Sequence, residues 1–91
     1  MIVKFYGELK AIMGYGKKEI KKTDFKDIED LINYLVGENE NNISNKFINK
    51  GKLNEDITIL KNGMRIRFEK GLKTKVNRND KIVFFPPSLG G

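Results

Sequence analysis

The sequence ends Phe85-Pro86-Pro87-Ser88-Leu89-Gly90-Gly91, and both of its prolines stand in that segment. Proline donates no ladder hydrogen bond, and Pro87 biases Pro86 toward extended backbone, so a strand that reaches Phe85 must stop there. Residues 86–91 then reach about 20 Å when extended. The two glycines at the tip carry no side chains and fit a channel too narrow for any other residue. An ordinary frayed terminus is the competing reading. Both prolines standing just ahead of the diglycine favour a functional tail. The rest of the chemical inventory is sparse. The 91 residues include no Cys, His or Trp, which removes disulfides, thiol nucleophiles, imidazole bases and the usual zinc-ligand sets. No metal site is expected.

A tail needs a body to hold it, and the periodicity supplies one. Ile2–Tyr6 alternates as a strand, with Val3 and Phe5 toward a core and Lys4 and Tyr6 outward. Gly14 and Gly16 mark a turn, and Lys17–Lys22 reads as a second, largely exposed strand whose lysines would protect a sheet edge. Phe25, Ile28, Leu31, Ile32, Leu35 and Val36 then fall on one stripe of an amphipathic helix. Asp24 is its expected N-cap, Asp27, Glu29 and Asp30 fill the early turns, and Gly37 is its stop. Glu38–Asn42 is a polar loop. Ile43, Phe47 and Ile48 suggest a short second helix ending near Gly51.

Ile57–Leu60 reads as a strand, Asn62-Gly63 as a hairpin turn, and Met64–Phe68 as the returning strand. Asn77–Asp80 is a turn cluster, and Lys81–Phe85 is the last strand. The order β-β-α-(α)-β-β-β points to one α+β domain with a main helix covering a mixed sheet. In the last strand Ile82 and Phe84 alternate with Val83 and Phe85, so one pair should face away from the helix.

The formal charge is +6, with 33% of residues charged. It is unevenly placed: residues 1–22 and 61–81 are basic, and residues 23–60 are acidic. A basic patch is a footprint of nucleic-acid binding, but the basic stretches carry no stacking motif of the single-strand binders. The charge alone assigns no nucleic-acid partner. Apolar runs are short and the N-terminus lacks a signal-peptide pattern, so a soluble, cytoplasmic protein with no membrane partner is expected.

The ending resembles the ubiquitin-like sulfur carriers of the MoaD/ThiS type, and most closely the MoaD-type small subunit of molybdopterin synthase. That family typically closes on a strand, Phe-Pro-Pro, two variable residues and Gly-Gly, which Phe85, Pro86, Pro87, Gly90 and Gly91 match. The opening strand, the helix near Asp27–Val36, Asn62-Gly63 and Asp80 before the final strand extend the resemblance through most of the chain. Leu89 is bulkier than the small residue often found beside the glycines. The basic charge also departs from the acidic character of many members.

The resemblance implies a ubiquitin-like β-grasp domain over residues 1–85 and an extended tail over 86–91. It further implies that an adenylating enzyme uses ATP to activate the Gly91 carboxyl, and that sulfur then displaces the adenylate to leave a thiocarboxylate. The sulfur would pass to a pterin precursor in the large subunit of molybdopterin synthase, in molybdenum or tungsten cofactor synthesis, or to another acceptor. Alternatives are a modifier joined through Gly91 to lysines of other proteins, and a carrier for tRNA thiolation. The chain would bind no cofactor and would not act as an enzyme by itself. Gly91 is the reactive residue, and Gly90, Leu89, Ser88, Pro87, Pro86 and Phe85 meet partners. Tyr6 is expected to extend that contact as an apolar patch with Phe85, and Met64 and Ile66 are secondary candidates for the same patch.

Overall fold

The computed structural model describes residues 1–21, 24–37, 44–54, 56–66 and 70–87. Along the chain these form β1 (Ile2–Phe5), α1 (Gly7–Met13), β2 (Lys17–Glu19), α2 (Ile28–Gly37), α3 (Ser44–Phe47), β3 (Ile48–Asn49) and β4 (Lys52–Leu53). They continue as β5 (Thr58–Lys61), β6 (Met64–Arg65), a 3-10 turn (Gly71–Lys73) and β7 (Lys81–Phe85). Five strands make one sheet in the order β2-β1-β7-β5-β6, and β3 pairs with β4 apart from it. β1 and β7 run parallel, and the other pairs of the large sheet are antiparallel. This is the mixed-sheet β-grasp that the tail resemblance implied.

The apolar stripe on α2 does what its spacing dictates. Ile28, Leu31, Ile32 and Leu35 are all buried, each contributing roughly 1.5–3 kcal/mol by leaving water. The helix begins later than expected. Asp27 Oδ1 accepts the Asp30 N–H at 3.0 Å, and Asp30 Oδ2 accepts the Lys26 N–H at 2.8 Å. This reciprocal pair works like a capping box, so Asp27 replaces Asp24 as the cap.

The cause of the later start is tertiary. The Ile28 N–H donates to Thr74 O and the Val76 N–H to Lys26 O, which pairs Asp27 with Lys75 in an antiparallel bridge just ahead of the helix. Phe25 therefore lies ahead of the helix and packs edge-on against Tyr34 at 5.2 Å. Nearby, Lys73 Nζ meets Glu29 Oε1 at 3.1 Å. The hydrogen bond and charge of that carboxylate raise the lysine pKa, but so exposed a pair adds little stability.

α1 was not foreseen. It turns the chain immediately after β1, buries Leu9 and Met13, and stops at Gly14, whose N–H donates to Lys10 O at 3.0 Å. β2 is a true edge strand but covers only Lys17–Glu19, with Ile20 turning into the core. Of the short second helix, Phe47 closes α3 and Ile48 already belongs to β3. β6 is confined to Met64–Arg65. Lys22, residues 38–43 and residues 67–69 lie outside the described residues, and with them the ends of two expected strands and the polar loop.

The hairpin turn is built as its sequence requires. Asn62 and Gly63 both take positive φ, 52° and 85°, the conformation of the two-residue turn that matches strand twist. Buried Asp80 ties this turn to the start of β7. Its Oδ1 accepts from Asn62 Nδ2 at 2.9 Å and its Oδ2 accepts the Asn77 N–H at 2.8 Å. Asn62 Oδ1 in turn accepts the Lys81 N–H at 2.9 Å. The carboxylate is thus paid for by bonds that fix three chain segments at the head of β7.

The core lies between the sheet and the helices. Val3, Phe5, Ile59, Ile82 and Phe84 face it from the strands. Phe84 stacks on Phe5 at 5.0 Å, and Phe47 meets Phe84 edge-on at 5.6 Å. Among the described residues no helix is long and apolar enough to cross a membrane.

Candidate functional site

The alternation of β7 decides how the tail is held. Ile82 and Phe84 are buried in the core, so Val83 and Phe85 occupy the opposite, helix-free face of the sheet. The Tyr6 N–H donates to Phe84 O at 3.1 Å, which carries the parallel β1–β7 pairing one step past β1. Tyr6 and Phe85 are thereby side by side, and their rings stack with centroids 4.9 Å apart and planes 9° apart. Tyr6 is 45% exposed. The pair is an aromatic step on the open face at the point where the chain leaves the sheet.

Gly7 completes this exit, and sequence reasoning passed over it. It has φ +58, and a Cβ placed there would stand 2.7 Å from Pro86 Cγ. The chain can turn from β1 into α1 with Pro86 lying against the turn only because Gly7 has no side chain. Its signal was available: a glycine directly after the opening strand, opposite the end of the strand that precedes Pro86.

Substitution here is expected to be informative. Gly7→Ala should cost about 1–2 kcal/mol for the left-handed backbone and roughly 1–3 kcal/mol more for the collision with Pro86. Gly14→Ala is the matched control, since Gly14 has φ +87 but nothing within 4 Å of an added Cβ. Urea unfolding should place Gly7→Ala below Gly14→Ala, with the Phe85 amide resonance shifted in Gly7→Ala alone. Equal losses would mean that the contact with Pro86 is not what Gly7 preserves.

Of the other expected site residues, Pro86 and Pro87 are half-buried beyond β7. Met64 is 76% exposed, but it is not brought to the aromatic pair. It pairs with Lys61, which pairs with Ile82, so the register puts it on the helix-side face, opposite Tyr6 and Phe85. Ile66, on the same side, packs against the core. Ser88, Leu89, Gly90 and Gly91 lie outside the described residues. Among the described residues no three His, Cys, Asp or Glu side chains group to hold a metal.

Comparison with known proteins gives one consistent picture. A protein-family model described as the ThiS family matches residues 3–91. The chain is similar to small archaeal modifier protein 3 of Haloferax volcanii, with 22% identity covering 98% of this chain and 96% of that protein. Its fold is similar to the crystal structure of SAMP1 from Haloferax volcanii, at TM-score 0.79 and 25% identity, covering 100% of this chain and 98% of the other. It is also similar to the Amycolatopsis orientalis BexX/CysO complex, at TM-score 0.81 and 20% identity, covering 99% of this chain and 98% of the matched one.

Proposed function

Because the chain belongs to the ThiS family, a family of small ubiquitin-like sulfur carriers, we propose that it serves as a modifier whose Gly91 carboxyl is activated by a separate enzyme and joined to lysines of other proteins. A carboxylate resists acyl transfer, because its charge repels nucleophiles and oxide is a hopeless leaving group. In this reading the activating enzyme converts the Gly91 carboxylate and ATP to an acyl adenylate and pyrophosphate. A lysine amine then attacks the acyl carbon, AMP leaves, and an isopeptide bond remains. The chain itself presents the tail and holds neither ATP nor metal. The observation that carries the reading is the Gly90-Gly91 tip behind a proline-stiffened exit, on a chain similar over nearly its whole length to small archaeal modifier proteins.

A second reading shares the first step. Sulfide supplied by a partner attacks the acyl carbon and AMP leaves, so that a Gly91 thiocarboxylate remains and then serves as a sulfur donor. Phe85-Pro86-Pro87 ahead of Gly90-Gly91 favours a pterin precursor held by a synthase large subunit as the acceptor, in molybdopterin synthesis. Thiolation of tRNA is the other sulfur outlet. Both readings place the work in the cytoplasm, on partners that meet residues 85–91 and Tyr6.

One experiment separates the two. The last basic residue is Lys81, so trypsin leaves Ile82–Gly91 as a branch on any conjugated lysine. Mass spectrometry of proteins from the native cell should find that branch. A Gly91 thiocarboxylate without branches would favour the sulfur-donor reading, and a free carboxylate with no branched peptide in any growth condition would overturn both.

A further inference from the structure

β2 ends the large sheet on one side, and its main-chain groups alternate between the sheet and the open edge. The Phe5 N–H donates to Gly16 O at 3.0 Å. Four residues on, the Ile20 N–H donates to Met1 O at 2.8 Å, and Ile20 O accepts from the Met1 ammonium at 3.0 Å. Val3 and Lys18, midway between these pairs in the register, form the third bonded pair. Lys17 and Glu19 stand at the intervening positions, opposite Lys4 and Ile2, so their N–H and C=O groups point away from the sheet. Their side chains lie on the helix-free side, and continued alternation puts Lys21 with them. All three are exposed.

The two sides of this edge differ in chemistry. On the helix-free side Lys4 and Lys17 are directly opposed, and like charges in that position repel. Among the described residues no carboxylate forms an ion pair with Lys4, Lys17 or Lys21. On the helix side, Lys18 Nζ lies 5.4 Å from the Tyr15 ring centroid and 5.8 Å from that of Tyr34. Phe25 packs edge-on against Tyr34. The three rings are only partly buried against the core, so they offer apolar area to a side chain arriving beside Lys18. Edge lysines deter a neutral or basic strand from adding to the sheet. The same charges favour a strand that brings carboxylates, which would relieve the Lys4–Lys17 repulsion.

We propose that the open edge of β2 binds an extended acidic peptide of another protein as an added strand, with the pattern acid–apolar–neutral–apolar–acid. The alternation of residues 17–21 sets that pattern. The peptide positions opposite Lys17 and Lys21 take carboxylates, and the one opposite Glu19 takes a neutral residue. The two between them face the helix side and take apolar residues that meet Tyr15, Tyr34 and Phe25. Main-chain bonds to Lys17 and Glu19 supply affinity, and the alternate side chains supply selectivity. The tail takes no part in this contact, which therefore stands whatever becomes of Gly91. A second copy of this chain does not fit, because β2 against β2 sets lysines against lysines. Nucleic acid fits less well, because it has no strand of peptide groups to complete the ladder.

The test uses the full, isotopically labelled chain and two capped synthetic peptides, one carrying Glu-Val-Thr-Val-Glu and the other Lys-Val-Thr-Val-Lys. The Glu peptide should shift the amide resonances of Lys17 and Glu19 most. At saturation it should slow their exchange with solvent about tenfold or more, because both N–H groups gain acceptors. Raising salt to about 0.5 M should weaken it about threefold or more. The Lys peptide should leave these amides unmoved. Lys17→Glu/Lys21→Glu should weaken the Glu peptide about tenfold or more and admit the Lys peptide. Glu19→Pro removes an open-edge N–H without breaking a bond to β1, and it should weaken the Glu peptide about tenfold or more. Thermal unfolding checks that both variants remain folded, and the charge reversal decides the matter if the proline variant does not.

Equal binding of the two peptides would overturn the selection by charge. Undiminished binding to a folded Glu19→Pro variant, or shifts centred away from β2, would overturn the edge as the site. No shift with the Glu peptide up to about 2 mM would overturn the proposal as a whole. Concentration-dependent dimerisation of the free chain that shifts Lys17 and Glu19 would make a second copy the occupant instead. Shifts of the same amides with single-stranded RNA but not with the Glu peptide would reassign the lysines to phosphates.

Discussion

Deleting Gly91 should leave the unfolding temperature within about 1 °C of the parent and abolish ATP–pyrophosphate exchange with the activating enzyme. The asymmetry follows from where the two properties reside. The described core runs from Val3 to Phe84, and the tight packing at the exit involves Tyr6, Gly7, Phe85 and Pro86. Under the proposed activation, chemistry at the carboxyl would instead depend on its being carried past Gly90, a residue with no side chain to obstruct a narrow channel. The deletion leaves a carboxyl one residue short and attached to the preceding glycine. Retained exchange in the deletion variant would show that the enzyme does not require the full tail, and a lowered unfolding temperature would show that the tail packs on the body.

Phe84→Ala should produce the largest loss of stability, about 3–5 kcal/mol. Phe84 is fully buried, stacks on Phe5 at 5.0 Å and meets Phe47 edge-on at 5.6 Å. It thus joins the last strand to the first and to α3. A chain of this length has a total stability of roughly 5–13 kcal/mol, so the variant should sit near the edge of unfolding at room temperature. Tyr6→Ala is the contrast, because its ring stacks on Phe85 from the surface and should cost about 1 kcal/mol. Urea midpoints for the two variants give the comparison. A Phe84→Ala loss no larger than that of Tyr6→Ala would mean that the aromatic cluster does not organise the core.

Much of this arrangement can be read from the residues alone. The stripe from Ile28 to Leu35 is long enough for its period to be unmistakable, and Asn62-Gly63 and the two prolines act through local backbone rules. What escaped depends on distance in sequence. Leu9, Ile12 and Met13 have helical spacing, yet α1 is too short for three apolar residues to outweigh the turn signal at Gly14. The helix cap moved from Asp24 to Asp27 because residues 74–76, far along the chain, pair with residues 26–28 and bridge Lys75 to Asp27 ahead of the helix.

The site divides in the same way. The tail motif and the outward Tyr6 follow from type and alternation. The role of Gly7 depends on Pro86 meeting it in space, and Met64 fell on the other face because register, not hydrophobicity, decides which side a strand residue takes.

The position of β7 in the sheet has a consequence for what holds the two halves of the sheet together. Last in sequence among the strands, it is the middle one of five, joining β2-β1 on one side to β5-β6 on the other. Without Lys81–Phe85 the large sheet would fall into two separate pairs of strands, β2-β1 and β5-β6, with β1 and β5 left as additional unpaired edges. The strand that finishes the sheet is also the one that projects the tail. A chain truncated before β7 therefore loses, in one step, the centre of the sheet and the strand that leads into Pro86 and Pro87.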